Sequence, residues 1–253
     1  MDRELGAVQR RHWDADAARY HEDHADYLDT FFWCPERLTE AEARLLGDPV
    51  DLAGRTVVEV GCGSAPCAAW LARHTSARVV GFDISMHMLS RAPQVEGLHL
   101  LQADAASLPF PEDAADVVFS SFGGYPFLSD LDAAMAEVAR VLRPGGRSVI
   151  AVNHPTAWIF PDDPEELTAA IPYFQDAYLE WERDDPTDPG ALRYAEFHHT
   201  MGDWVRAFSS AGLRLVDLVE PEWREGTPTW GQWSATRGEV FPGTAIFVLE
   251  NYN

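Results

Sequence analysis

The segment between residues 56 and 152 most constrains the fold, because short β-branched runs alternate there with helical patterns. Such alternation predicts a parallel sheet covered by helices. One crossover is well marked: Ser129-Asp130 can cap a helix, and Arg143-Pro144-Gly145-Gly146 ends it, since proline cannot continue a helix. The predicted strands are 56–60, 77–82, 98–102, 117–120 and 148–152.

The pattern changes on both sides of this segment. Residues 1–50 read as helices, and we expect them to form a cap on a main domain that covers residues 51–253. Residues 155–196 carry eleven Asp or Glu against two Arg, together with six prolines. An uninterrupted loop of that length is unusual in a compact domain, so we expect helices inside this insertion, bounded at 155–200, and a role as a lid. A helix at 202–211 and strands at 213–218 and 244–249 complete the pattern.

Charge and composition exclude several classes of protein. The chain has 253 residues and a formal net charge of −22, from 19 Lys+Arg against 41 Asp+Glu. A phosphate backbone is bound by surplus basic side chains, so this charge argues against a nucleic-acid partner. No apolar run of about 18 residues and no signal-peptide pattern occurs, so we expect a cytoplasmic protein without a membrane partner. The three cysteines form no C-x-x-C pair, which indicates neither a disulfide framework nor a structural zinc site.

Three strand ends carry the residues of a nucleoside site. Gly61 and Gly63 follow the first strand, and glycines there let the backbone turn tightly and approach a ligand. Asp83 ends the second strand and can accept hydrogen bonds from both ribose hydroxyls, while Asp104 follows the third and can accept one from an exocyclic amine. Taken singly, the turn can be purely structural and Asp83 can be a helix cap. Together, at the carboxyl edge of a parallel sheet, they predict nucleoside binding.

With these strand ends the chain resembles the class I S-adenosylmethionine-dependent methyltransferases, in particular those that act on small molecules. The resemblance implies a Rossmann-like α/β three-layer sandwich, with a seven-stranded, mostly parallel sheet of order 3-2-1-4-5-7-6 and an antiparallel last strand. One departure is visible, because Ala65-Pro66 stands where a third glycine is common in the family. The motifs that carry the resemblance are Glu59-x-Gly61-x-Gly63, Gly81-Phe82-Asp83-Ile84-Ser85 with Met88-Leu89, Ala103-Asp104-Ala105 with Leu108-Pro109-Phe110, Asp116-Val117-Val118-Phe119 and Leu142-Arg143-Pro144-Gly145-Gly146.

The resemblance also implies a cofactor, S-adenosyl-L-methionine, and a set of residues that bind it. The glycine turn would face the methionine part, Asp83 the ribose, and Asp104 with the Ala105 amide the adenine ring. Tyr20 would touch the amino-acid tail. The full predicted set is Tyr20, Glu59, Gly61, Cys62, Gly63, Asp83, Ile84, Met88, Asp104, Ala105 and Ser120.

Histidines near the same edge are candidate bases. Methyl transfer from a sulfonium is an in-line displacement that depends on alignment, but a hydroxyl acceptor must also lose a proton. Histidine suits this step because its ordinary pKa lies near about 6.5. His154 follows the fifth strand, and His198-His199 follow the insertion, so we predict His154 and His199 as catalytic. The alternative is that these rings only satisfy backbone groups. Their spacing does not indicate a metal site.

The sequence thus predicts methyl transfer to a small organic acceptor, with O-methylation ahead of N- or C-methylation. Aromatic side chains in the insertion favour a planar or apolar acceptor, although core packing is their commoner fate. Two alternatives stay open: a nicotinamide-dependent oxidoreductase, and a protein that binds S-adenosylmethionine without transferring its methyl group. Acceptor identity and oligomeric state are not encoded in these motifs.

Overall fold

A seven-stranded sheet organises the chain in the computed structural model, which describes residues 2–182 and 190–252. The strands are β1 Thr56–Val60, β2 Arg78–Asp83, β3 Leu98–Gln102, β4 Ala115–Ser121, β5 Leu142–Asn153, β6 Ala177–Trp181, β7 Leu192–Phe197, β8 Leu213–Val219 and β9 Thr244–Asn251. The order in the sheet is β3-β2-β1-β4-β5-β9-β8, and β9 runs antiparallel to both of its neighbours. Since β6 and β7 form a separate pair, β8 and β9 are the sixth and seventh strands of this sheet, and the predicted order and the antiparallel last strand are confirmed.

Helices cover both faces of the sheet, as expected for parallel strands joined by crossovers. The helix Leu131–Val141, α5, shows why the sequence folds this way. Before its first turn, the Asp130 side chain accepts a hydrogen bond from the Ala133 amide, and Leu131, Met135 and Val138 form its buried face. The helices are α1 Asp2–Asp23, α2 Glu40–Ala43, α3 Pro66–His74, α4 Met86–Leu89, α5 Leu131–Val141, α6 Met201–Ser210 and α7 Ala235–Gly238, with 3₁₀ turns at Tyr125–Phe127 and Pro155–Ile159.

The core consists of two apolar clusters, one on each face of the sheet. Along β1, Val58 and Val60 contribute to the cluster beneath α5 and α6, whereas Val57 contributes to the cluster beneath α3. This division follows from the alternation of side chains along a strand. Phe31 and Trp33, from the segment after α1, join the second cluster. The chain is thus a three-layer α/β sandwich, as the resemblance implied.

The insertion differs from its prediction. In place of helices, its described part contains a 3₁₀ turn and an antiparallel hairpin of β6 and β7. Prolines at 161, 164 and 172 remove backbone donors that a helix would need, while the β6 sequence Ala-Tyr-Leu-Glu-Trp suits a strand. Arg183 and the acids at 184, 185 and 188 lie outside the described residues.

The N-terminal segment is helical over α1 and the single turn of α2, while residues 24–39 form turns and one isolated bridge rather than helix. The division between a cap and a main domain at residues 50 and 51 stays a prediction, as does the lid role of the insertion. Within residues 2–182 and 190–252, no helix is both long and apolar enough to cross a membrane.

Candidate active site

The turn after β1 has a backbone that glycine alone accepts readily. Gly61 and Gly63 have φ angles of +67° and +54°. A Cβ atom on Gly61 would lie 2.4 Å from the amide nitrogen of Gly124, in the loop that follows β4. The loops after β1 and β4 are therefore in backbone contact, which only a residue without a side chain permits. Ala65, where the family commonly has a third glycine, also lies in the left-handed region, with φ +57°.

Asp83 joins the ends of β1 and β2. One of its carboxylate oxygens accepts a hydrogen bond from the Gly63 amide at 2.8 Å, and the other accepts one from the Ser85 amide at 2.8 Å. Burial raises its pKa, and these two hydrogen bonds oppose that rise. The cap of α4 is Ser85, whose hydroxyl accepts from the Met88 amide, so the helix-cap alternative for Asp83 is wrong.

Glu59 lies beneath the turn, with only 2% of its surface exposed. Its carboxylate accepts a hydrogen bond from the Ala68 amide in the first turn of α3, at 2.9 Å. Burial raises the pKa of Glu59 to about 8, because a charged carboxylate loses hydration inside the protein. The carboxyl group thus holds the start of α3 against β1.

The α1 helix crosses over the three strand ends. Asp104 accepts a hydrogen bond from the Ala106 amide at 2.9 Å, and a Cβ atom on Gly6 of α1 would lie 2.5 Å from its second oxygen. Further along α1, the Asp14 carboxylate accepts from the Ser85 hydroxyl at 2.6 Å and from the His87 amide at 3.1 Å. The helix is therefore fixed to the same loop that Asp83 organises.

These groups surround one cavity that opens to solvent, with about 1420 Å³ of space when the solvent at its mouth is included. The structure brings ten of the eleven predicted cofactor residues together in its lining: Tyr20, Glu59, Gly61, Cys62, Gly63, Asp83, Ile84, Met88, Asp104 and Ala105. Ser120 does not line it; its hydroxyl is fully buried and donates to the Val60 carbonyl at 2.9 Å. The adjacent Ser121 lies in the lining instead.

Sequence reasoning missed the part of the lining that α1 supplies. Leu5, Gln9 and Trp13 recur every four residues, which places them on one face of a helix. That spacing was the available signal, but it does not tell which surface the face covers. The Phe122-Gly123-Gly124 loop after β4 was missed as well, although small residues after a strand were the signal used for β1.

Aromatic rings form much of the remaining wall. Trp13 contacts Phe127 edge to face, with ring centroids 5.3 Å apart, and Tyr20 at 6.1 Å. Tyr27 stacks on Trp230 at 5.2 Å, and its buried hydroxyl has no partner among the described residues. Burial raises the pKa of both tyrosines well above the ordinary value, so both hydroxyls stay protonated.

The predicted bases lie elsewhere. His154 and His199 line a neighbouring cavity of about 410 Å³ together with His198, and they are not part of the main cavity's lining. The 3₁₀ turn Tyr125–Phe127 lies between the two cavities, since Pro126 lines the smaller cavity and Phe127 lines the larger one. The expectation that His154 would lie beside the cofactor residues is therefore not met by this geometry.

Hydrogen bonds already occupy these rings. The Nε2–H of His154 donates to Glu220 at 3.0 Å, and its Nδ1 accepts from the Thr156 amide at 3.2 Å. The Nε2–H of His199 donates to the Leu128 carbonyl at 2.9 Å, which is the structural alternative stated above. Burial lowers the pKa of both, and lowers that of His198 to about 4. Within the described chain, no three His, Cys, Asp or Glu side chains form a group that could hold a metal ion.

The ionisable side chains of the main cavity fit a cationic cofactor. Those in its described lining are the carboxyl groups of Glu59, Asp83, Asp104 and Asp130, the hydroxyls of Tyr20 and Tyr27 and the thiols of Cys62 and Cys67, and it contains no Lys, Arg or His. A sulfonium nucleoside brings positive charge to these carboxylates, and its hydroxyls and amine are donors for them. A dinucleotide pyrophosphate would instead bring negative charge to the same surface.

Comparison with known proteins agrees with the geometry. A family model described as a methyltransferase domain matches residues 58–150. Methyltransferase GfsG of Streptomyces halstedii is 41% identical over 124 residues, which cover 46% of this chain and 43% of that protein. The malonyl-[acyl-carrier protein] O-methyltransferase of Methylovorus sp. is 29% identical over 184 residues, 68% of this chain and 56% of that protein. The chain thus spans about half the length of these curated relatives.

A solved structure extends the likeness to the whole fold. The crystal structure of an S-adenosylmethionine-dependent methyltransferase from Mesorhizobium loti aligns with a TM-score of 0.65 at 22% sequence identity, covering 86% of this chain and 98% of that one. At this identity the likeness concerns the fold alone. Together with the domain match and the strand-end motifs, it identifies residues 58–150 as a methyltransferase domain of the class I type, with S-adenosylmethionine as its cofactor.

Proposed function

We propose that the protein transfers the methyl group of S-adenosylmethionine to a small organic acceptor, and that an acceptor oxygen is favoured over nitrogen or carbon. The observation that carries this proposal is the single cavity at the carboxyl ends of β1, β2, β3 and β4. Its lining combines the glycine turn and two strand-end acids with an aromatic wall. The printed names of some relatives, such as the Methylovorus O-methyltransferase, support oxygen as the acceptor atom.

The cofactor supplies an electrophilic methyl group on sulfur. We assign its binding to the ten predicted residues that line the cavity, with Asp83 at the ribose and Asp104 at the adenine end. Ser120 acts indirectly, because its hydrogen bond to the Val60 carbonyl shapes the turn rather than contacting the cavity. The residues of this chain then hold the acceptor in line and exclude water, which is the main requirement of a displacement with a good leaving group.

The first experiment tests cofactor binding. Calorimetry should give micromolar binding of S-adenosylmethionine and no binding of NAD or NADP at the same concentrations. Tight binding of a nicotinamide dinucleotide would favour the oxidoreductase alternative. The Asp83→Asn variant should lose most of the affinity, since Asn cannot present two anionic oxygens to donors.

The second experiment tests transfer. With a methyl-labelled cofactor and a panel of small hydroxyl, amine and carbon acceptors, mass spectrometry should detect label first in hydroxyl acceptors. Stoichiometric binding of the cofactor without label in any product would favour the non-methylating alternative.

A third experiment concerns the bases. His154 and His199 stay predictions, and their places outside the main cavity favour a mechanism that depends on alignment alone. His154→Ala and His199→Ala should therefore keep cofactor affinity, and transfer at the wild-type rate in both would show that neither is a base. If the transfer rate of either variant falls by more than about 100-fold while its affinity for the cofactor is unchanged, that residue is the base.

A further inference from the structure

Gln9 has an unusual position in the roof of the cavity. It belongs to α1, lies in the cavity lining and is 4% exposed. Its Nε2 group donates a hydrogen bond to the backbone carbonyl of Ala195 in β7. A carbonyl oxygen only accepts, so this bond fixes which end of the amide faces β7. The other end, Oε1, is buried and has no partner among the described residues.

An unpartnered acceptor in such a place is costly. Leaving a buried polar atom without a hydrogen bond destabilises a protein, and native structures retain few such atoms. Leu at position 9 would avoid that cost and would match the neighbouring Leu5 on the same face. The orientation of the amide therefore points to a ligand donor that the Oε1 atom meets when the cavity is filled.

The rest of the lining limits what that ligand can be. No Lys, Arg or His belongs to the described lining, so no side chain there would pair with a carboxylate or phosphate acceptor, whereas Asp83, Asp104 and Asp130 would repel it. A protonated amine is also disfavoured, since it would lie beside a sulfonium and its lone pair is occupied by the proton. A neutral acceptor remains.

The wall near Gln9 favours a flat, apolar body. Trp13 lies one turn along the same face of α1, and its ring meets Phe127 and Tyr20. Aromatic surfaces of this kind stack on planar molecules. We propose that Gln9 is a specificity-determining residue whose Oε1 atom accepts a hydrogen bond from a hydroxyl group of a neutral, planar acceptor.

This inference rests on the proposed function and narrows its substrate class to phenol-like compounds. It is tested by binding, with the protein loaded with S-adenosylhomocysteine and three probes: 2-naphthol, 2-methoxynaphthalene and 2-naphthoate. The first donates a hydrogen bond, the second cannot, and the third is an anion of the same size. The wild type should bind 2-naphthol about tenfold more tightly than either of the others, the ratio expected for one buried hydrogen bond.

Gln9→Met keeps the length of the side chain and removes both the Oε1 acceptor and the Nε2 donor to the Ala195 carbonyl. It should reduce the preference for 2-naphthol over 2-methoxynaphthalene to about twofold or less, at unchanged affinity for S-adenosylhomocysteine. Gln175→Met is the matched control, because the Gln175 side chain also donates to a backbone carbonyl, that of Ala177, but on the exposed surface. This control should keep the full preference.

Several outcomes would overturn the inference while leaving methyl transfer intact. They are equal binding of 2-naphthol and its methyl ether by the wild type, tighter binding of 2-naphthoate, no binding of any probe, or an unchanged preference in Gln9→Met. A Gln9→Met protein that loses affinity for S-adenosylhomocysteine instead would assign Gln9 to the cofactor and also overturn it. If Gln9→Met does not fold, the wild-type comparison still decides. Failure of the proposed function is separate, since it is read from the cofactor and labelled-methyl experiments.

Discussion

The loops at the carboxyl ends of β1, β2 and β3 and the insertion at residues 155–200 differ in what determines their structure. Each loop follows a strand within one continuous stretch, and the features that mark it in the sequence are local: the positive φ angles of Gly61 and Gly63, and the Ser85 amide that donates to Asp83 two residues away. The insertion depends on partners far away in the chain: β7 holds α1 through Gln9, and Glu165 accepts from the Thr236 hydroxyl at 2.6 Å. Local signals are readable from sequence, and distant partners are not.

The largest effect should come from Gly61→Ala. The added Cβ would lie 2.4 Å from the Gly124 amide nitrogen, so the loops after β1 and β4 must separate, and the positive φ adds strain. We expect loss of measurable cofactor binding in calorimetry and destabilisation of about 3 kcal/mol or more in denaturant unfolding.

Gly54→Ala is the matched control, because its φ is +73° and a Cβ there would meet nothing within 4 Å. It should cost only about 1 kcal/mol and leave cofactor affinity unchanged. If both variants bind the cofactor alike, the contact between the two loops does not shape the site.

The next effect separates the two ends of the sheet. Asp83 and Asp116 each accept a hydrogen bond from a backbone amide at 2.8 Å, from Gly63 in the cavity and from Thr56 at the opposite end of β1. Asp83→Asn should weaken cofactor binding by about 100-fold, the value of two charged hydrogen bonds lost. Asp116→Asn should lower the free energy of unfolding by about 1 kcal/mol and leave binding within about twofold. Equal losses of affinity would contradict the assignment of the ribose to Asp83.

Much of the site followed from the sequence because its determinants are local. Glycines with positive φ and acids at strand ends can be recognised directly in the sequence, and the order of the strands in the sheet then brings those ends together at one edge. The face of α1 was missed because helical periodicity shows that a face is buried and not what it covers. For His154, the position after β5 gives the edge of the sheet but not the direction of the side chain, which Glu220 and Thr156 determine.

The hairpin of β6 and β7 was missed for a related reason. Its length favoured helices within a lid, and its aromatic residues were taken to indicate a planar or apolar acceptor rather than a pair of strands. Only the cross-strand pairs, such as Tyr178 with Glu196, reveal a strand pairing, and residues 183–189, between the two strands, lie outside the described chain.

Stability should also depend on pH through the site region. The pKa of Glu59 is about 8 in the folded protein, above its unfolded value of 4.5, so the folded state binds more protons between these values. The contribution of protonated Glu59 to the free energy of unfolding is therefore complete below pH 4.5, its unfolded pKa, and is lost as pH rises through about 8. Glu59→Gln keeps an acceptor for the Ala68 amide without charge, so its free energy of unfolding should fall less than the wild type's between pH 5 and 9, by up to about 4 kcal/mol. Parallel pH profiles for the two proteins would show that Glu59 is not the titrating group.

The smallest effect should come from the insertion. Trp181 of β6 is 54% exposed, whereas Trp204 of α6 is 3% exposed and packs on Phe208 and Phe247. Trp204→Ala should cost about 3 to 5 kcal/mol, because a cavity would open in the core, and Trp181→Ala about 0.5 kcal/mol or less. Both changes in the free energy of unfolding are measured from the midpoints of denaturant unfolding curves, provided that the dependence of that free energy on denaturant concentration stays the same. A cost for Trp181→Ala comparable to that of Trp204→Ala would mean that the hairpin is a cooperative part of the core. The difference between the strand-end loops and the insertion would then lie in the order in which they fold and not in how much each contributes to stability.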